Sequence, residues 1–169
     1  MRVIKLAIIS AVILFLVITG ISLLLPSQMI ISRAIDINAP VDSVYANVAD
    51  LANWQKWYGG TDTSKALLSA LTYGEGASMR IDNTTIVIRE ASRRKINTFW
   101  IRGVNNKMLP GDFTFITGNE ASHVTLQWQF VLFVNWYPWE KFASIVSNRT
   151  IGSFMERSLD KLKEVTEPK

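Results

Sequence analysis

The sequence predicts an α+β protein: one apolar helix, then a strand, two short helices, six further strands and a long C-terminal helix. Three observations predict it. Residues 3–25 form an apolar run broken only by Lys5 and small polar groups. Residues 65–133 alternate apolar and polar side chains with period two. Residues 138–165 return to helical spacing behind a proline. The chain has 169 residues, enough for one domain plus an appendage and too few for two ordinary domains.

At about 1.5 Å per residue, a helix over 3–25 is roughly 34 Å long, just over the ~30 Å hydrocarbon thickness of a bilayer. A cleaved signal peptide would have an apolar core of about 7–15 residues ending at a small-x-small site. Gly20-Ile21-Ser22 offers such a site, but Leu23-Leu24-Leu25 carries the apolar run past it. The expected organisation is therefore a transmembrane anchor over 1–26 and a domain over 27–169. Arg2 and Lys5 flank the N-terminus, whereas Arg33 is the first basic residue after Leu25. The positive-inside bias puts the N-terminus in the cytoplasm and the domain outside, in the periplasm of a cell with two membranes. Pro26 stops the helix, and Ser27 and Gln28 leave only a short tether, so the domain is expected against the lipid surface.

Within the domain, residues 29–37 alternate Ile31, Ile35 and Ile37 against Ser32, Ala34 and Asp36, as a strand does. Asn38-Ala39-Pro40 opens a helix, with Asp42 at its positive end and Val41, Val44, Tyr45 and Val48 as its buried stripe. A second short helix over 51–56 carries Trp54, with Trp57 just beyond it. Strands follow over 65–72, 77–82, 85–90, 95–102, 112–117 and 122–133, joined by Gly-, Asn- and Asp-rich turns. In the last strand Val124, Leu126, Trp128 and Phe130 face one way, opposite His123, Thr125, Gln127 and Gln129. That is a sheet with one dry and one wet face. The final helix carries Phe142, Ile145, Gly152, Met155, Leu159 and Leu162 in a stripe, with Asn148 and Arg149 in the gap.

Composition excludes several chemistries. Lys and Arg total 18 against 14 Asp and Glu, and setting aside Arg2 and Lys5 leaves 16 against 14, too even for a nucleic-acid binder. No cysteine means no disulfide, thiol nucleophile or Cys-type metal site, and the single His123 falls on the wet face. No catalytic residue, metal site or cofactor is expected, since no spacing nominates an acid–base pair. Arg89, Arg93, Arg94 and Lys95 read as a charged hairpin tip.

The order of elements resembles the helix-grip fold, and the motifs agree with it. Ile35-Asp36-Ile37-Asn38-Ala39-Pro40, then Val44-Tyr45, then Asp50 with Trp54 and Trp57, resembles the opening of the START-like SRPBCC (Bet v 1-like) superfamily. Within that superfamily the similarity is to the polyketide cyclase/dehydrase and lipid-transport group. The strand Val124-Thr125-Leu126-Gln127-Trp128 and the ending Gly152…Met155-Glu156…Leu159-Asp160-Lys161-Leu162-Lys163 match the same pattern. The resemblance implies a curved sheet wrapped around the long helix, with a cavity between them for a hydrophobic ligand. It carries over no universal catalytic residue.

On that fold, Trp100, Phe113, Phe115, Trp128 and Phe130 are candidates for an apolar cavity wall. Asn148, Arg149 and Arg33 are candidates for polar ligand contacts, and Gly152 for added room. Arg33 lies on the Ile31/Ile35 face and Arg102 shares parity with Trp100; inside a cavity either would mark an anionic or carbonyl ligand head, and alternatively both reach water along their stems. The resemblance also pairs the first strand with the last, so the turn 135–139 and the loop 104–110 fall at the membrane end. Trp136, Tyr137 and Trp139 then suit the bilayer interface, with Met108 and Leu109 dipping further and Lys107 meeting anionic headgroups. The leading expectation is a membrane-anchored module that binds or transports a lipid or other hydrophobic small molecule. The alternatives are a polyketide cyclase/dehydrase-like enzyme and an interaction or stress-response module with a filled cavity. Protein partners are not specified.

Overall fold

The structure, a computed structural model, describes residues 2–59, 65–103, 107–118 and 122–168, without the side chains of Lys107, Phe142 and Ile145. The element order is α1 (Arg2–Leu24), β1 (Gln28–Ile37), α2 (Val41–Ala49), a single 3-10 turn (Leu51–Asn53), α3 (Trp54–Trp57), β2 (Leu67–Leu68), β3 (Ser78–Ile81), β4 (Thr84–Ser92), β5 (Lys95–Arg102), β6 (Lys107–Thr117), β7 (Val124–Phe133) and α4 (Pro138–Thr166). The strands form one antiparallel seven-stranded sheet in the order β1-β7-β6-β5-β4-β3-β2. α4 lies across its inner face, and the whole is the α+β helix-grip architecture that the order of elements implied.

The first strand does pair with the last. Gln28 stands opposite Phe133 and Ile37 opposite Val124, so β1 and β7 run the full length of the sheet together. The end of the sheet that carries Gln28, Phe133, Arg102 and Lys107 is called proximal here, because α1 enters there. The start of α4 and the β3–β4 turn at Asp82 and Asn83 lie at the same end. The β4–β5 tip, with Arg93 and Arg94, is distal.

Two elements differ from expectation. The strand expected over 65–72 is only Leu67–Leu68, at the sheet edge. β6 starts at Lys107, so Lys107, Met108, Leu109 and Pro110 belong to a strand rather than a loop, and 104–106 lie outside the described residues. Pro110 cannot donate a ladder hydrogen bond, and β7 pairs with β6 only from Gly111 onward. The proline therefore occupies a stretch bonded on one side only, to β5.

The distal and central interior is filled by rings. Trp54, Trp57, Trp100, Phe113, Trp128 and Phe130 are all buried. Trp128 stacks on Phe113 with centroids 4.9 Å apart, and Trp100 meets Phe130 edge-on at 5.2 Å. Trp54 and Trp57 donate their indole N–H groups to the carbonyls of Val48 and Asn47, locking the short helix under the end of α2. Each such ring pair adds about 0.5–1.5 kcal/mol beyond area burial.

Candidate functional site

The interior is open toward the proximal end. A cavity of about 540 Å³ lies between the first half of α4 and the ends of three strands. Arg102 and Gly103 at the end of β5, Met108 and Leu109 on β6, and Leu132, Phe133 and Val134 at the end of β7 form one side. Glu140, Ala143, Ser144, Ser147 and Ile151 on α4 form the other. The void follows from side-chain size. Where the helical stripe crosses this turn, α4 presents Ala143, Ser144 and Ser147, too small to reach the sheet. Ser144 and Ser147 turn their hydroxyls back onto the carbonyls of Lys141 and Ala143, which leaves little polarity facing the cavity.

The expected site residues fall into different places. Trp100, Phe113, Phe115, Trp128 and Phe130 are core, packed on one another and on Tyr45, Trp54, Trp57 and Tyr58, and they are not among the residues that line the cavity. Ring stacking closes the space that a hollow barrel would leave there. Asn148 and Arg149 are both exposed on the outer side of α4, because Ser144, Ser147 and Ile151 take the inward positions instead. Arg33 is on the inner face of β1 as its parity required, yet its guanidinium pairs with Glu156 of α4 and donates to the Ser32 carbonyl. Gly152 serves that arginine: a methyl group there would stand 2.1 Å from the guanidinium.

Two titratable groups line the cavity. Glu140 accepts a hydrogen bond from the Asn135 backbone N–H at 3.1 Å and lies in the first turn of α4, where the helix dipole favours a carboxylate. Arg102 forms no ion pair among the described residues. It lies near Tyr58, whose phenol is pushed up to about 12 by burial, with the Arg102 charge acting in the opposite direction.

The cavity opens beside the end of α1, and specific contacts hold it there. The Ser22 hydroxyl donates to the Trp136 carbonyl at 2.9 Å. Lys141, only 3% exposed, donates to the carbonyls of Leu25 (2.9 Å) and Pro26 (2.7 Å) and to the Ser27 hydroxyl (3.2 Å). All three ammonium protons are thus used on the tether between α1 and β1, whose Leu25 and Pro26 carbonyls have no helical or strand partner. Around this opening Met108, Phe133, Trp136 and Trp139 are 58%, 54%, 52% and 61% exposed. Tyr137 stacks between Trp136 and Trp139, at 4.6 and 5.0 Å. Leu109 points into the cavity, and the side chain of Lys107 lies outside the described residues. α1 itself is long and apolar enough to cross a membrane.

The family model for polyketide cyclase/dehydrase and lipid transport matches residues 28–167, nearly the whole chain beyond α1. The protein belongs to this family. Solved structures agree with the fold of this family member. DynU16, from the dynemicin biosynthetic locus, superposes with a TM-score of 0.57 at 18% identity, over 80% of this chain and 46% of that one. A START superfamily protein from Mycobacterium smegmatis gives 0.63 at 12% identity, over 81% and 96%. The di-domain ARO/CYC protein BexL, of the BE-7585A biosynthetic pathway, gives 0.60 at 14% identity, over 85% and 51%. The family member therefore spans about half the length of DynU16 and of BexL. A comparison with curated proteins finds no significant match.

Proposed function

We propose that this protein is a membrane-anchored module, with its anchor over 1–26, that binds a hydrophobic small molecule or lipid in the cavity beneath α4. The observation that carries this reading is that the cavity mouth and the end of the apolar helix lie together, joined by Lys141 and Ser22. The Ser22 contact supports a rim that dips into the lipid. At 1.5 Å per residue, Ser22 lies about 4.5 Å below Leu25, so the Trp136 turn is drawn below the end of the apolar span. Trp, Tyr and apolar side chains at that level suit the headgroup boundary, and the charges at Arg2 and Lys5 favour a cytoplasmic N-terminus. Transfer of ligand between the bilayer and the domain follows from the same placement.

Burial of ligand surface at roughly 25 cal/mol per Å² supplies most of the affinity of such a site, with few polar groups. The void favours this reading over a module with a filled interior. Native mass spectrometry of the full chain, released from a mild detergent, tests it. A hydrophobic molecule bound one to one is expected, and Ser147→Phe, which fills the cavity, is expected to abolish it. No bound mass under any detergent, or binding unaffected by Ser147→Phe, overturns the proposal.

A further inference from the structure

We infer that the cavity takes a single-chain amphiphile whose anionic head stays at Arg102 while its tail fills the dry interior. This rests on the hydrophobic-ligand reading above and names the class of ligand. Volume sets the first limit. About 540 Å³ holds roughly 18 groups of the ~30 Å³ that a water molecule occupies in the liquid. One long acyl or isoprenoid chain fits that space, whereas a two-chain phospholipid exceeds it about twofold. The space cannot extend distally. Phe130 lies so close over Gly111 that a methyl group there would stand 2.7 Å from the ring, and Trp100 packs against Phe130 behind it.

Charge sets the second limit. Leu109, Leu132 and Ile151 line the walls, and the ionisable lining groups are Arg102 and Glu140. Glu140 is committed to the Asn135 amide and the start of α4. The two lining charges sum to zero, but Arg102 has no carboxylate partner among the described residues and is the lining cation left to meet an anionic head. Its guanidinium is exposed and at the proximal end of β5, level with the rim. An anionic head can therefore stay hydrated at the interface while the tail alone leaves the lipid for the cavity. Burying only the apolar part avoids the cost of dehydrating a charge, and a guanidinium fork matches a carboxylate or phosphate.

The test presents the full chain, in detergent, with equal concentrations of palmitate, hexadecyl phosphate, methyl palmitate and dioleoyl phosphatidate, and reads bound fractions by native mass spectrometry. Palmitate or hexadecyl phosphate is expected to bind at least about tenfold more tightly than the neutral ester, and the preferred one of the two identifies the head. Dioleoyl phosphatidate is expected not to bind. Arg102→Gln should erase the preference for the acid over the ester, and Arg102→Lys should keep part of it. Equal binding of acid and ester in the unaltered protein removes the charge claim, and binding of the two-chain lipid removes the single-chain claim. Either result leaves the broader hydrophobic-ligand reading standing. Failure of all four probes, with no co-purifying molecule, overturns that broader reading as well.

Discussion

Gly152 shows how a residue's role depends on a partner far away in sequence. Read along the helix, a glycine in the apolar stripe suggests extra cavity space, but the space is taken by the Arg33 guanidinium on its way to Glu156. Alanine normally gains about 0.5–1 kcal/mol over glycine inside a helix. Gly152→Ala is expected to show that gain only in an Arg33→Ala background, and to lose about 1 kcal/mol of it when Arg33 is present. Thermal unfolding of the four proteins in a double-mutant cycle reads this coupling directly. Tyr58 gives a second residue-scale prediction. Its phenol ionises near 12 in the folded state because of burial, against 10.0 for the free side chain. Stability is therefore unaffected below pH 10 and falls as pH rises from 10 to 12, where the unfolded chain ionises first. At ~1.4 kcal/mol per pH unit the loss is roughly 3 kcal/mol. Alkaline unfolding of Tyr58→Phe should be shallower by that amount; identical profiles would reject a buried neutral phenol. Parity put Arg33 and Arg102 on the inner face from sequence alone. It could not tell which of them meets a carboxylate on α4.

At the scale of elements, α4 changes character along its length. Its distal half buries Met155, Leu159 and Leu162 against the sheet as the stripe predicted, while its proximal half offers Ala143, Ser144 and Ser147. The gap in the apolar stripe is visible in the sequence, but its large polar residues Asn148 and Arg149 face solvent. Small residues on the inward line were the better signal, because a void needs short side chains on one wall. Gly111 on β6 is small for the opposite reason, because the Phe130 ring fills the space above it. Gly111→Ala is expected to cost about 1–3 kcal/mol by overpacking against Phe130, measured as a drop in unfolding temperature. The junction of α1 and α4 was not legible, since nothing in the pattern around Lys141 announces a buried amine bonded to three oxygens. Lys141→Met removes those bonds and leaves the Leu25 and Pro26 carbonyls without them. In nanodiscs, spin labels at Ala7 and Ser153 should report one narrow distance for the parent chain and a broad distribution for the variant. Equally narrow distances would mean that the amine does not hold the two elements together.

For the whole molecule, the order of elements carried the fold, because alternation, capping and a terminal amphipathic helix are local signals that a single sequence displays. What filled the interior was not local. Eight aromatic rings, Trp54, Trp57, Tyr58, Trp100, Phe113, Trp128, Phe130 and Phe154, come from five segments, and only their convergence decides that they pack on each other rather than around a ligand. The exposed apolar side chains divide similarly. Leu67, Leu71, Ile116 and Val165 lie elsewhere, but Met108, Phe133, Trp136 and Trp139 gather around the proximal opening. With this rim in lipid, brominated acyl chains should quench the fluorescence of Trp136 and Trp139, and replacing both by Phe should remove most of the quenching while buried Trp54 stays bright. Weak quenching that is unchanged by the double substitution would reject an immersed rim.

The grip of Lys141 on residues 25–27, the tether between α1 and β1, also bears on how far this domain could travel. With α1 in a bilayer and no slack between Leu24 and β1, the cavity cannot cross to another surface with its cargo. It would act as a fixed berth: any donor or acceptor must come to it, by diffusing in the plane of the lipid or by docking from the aqueous side.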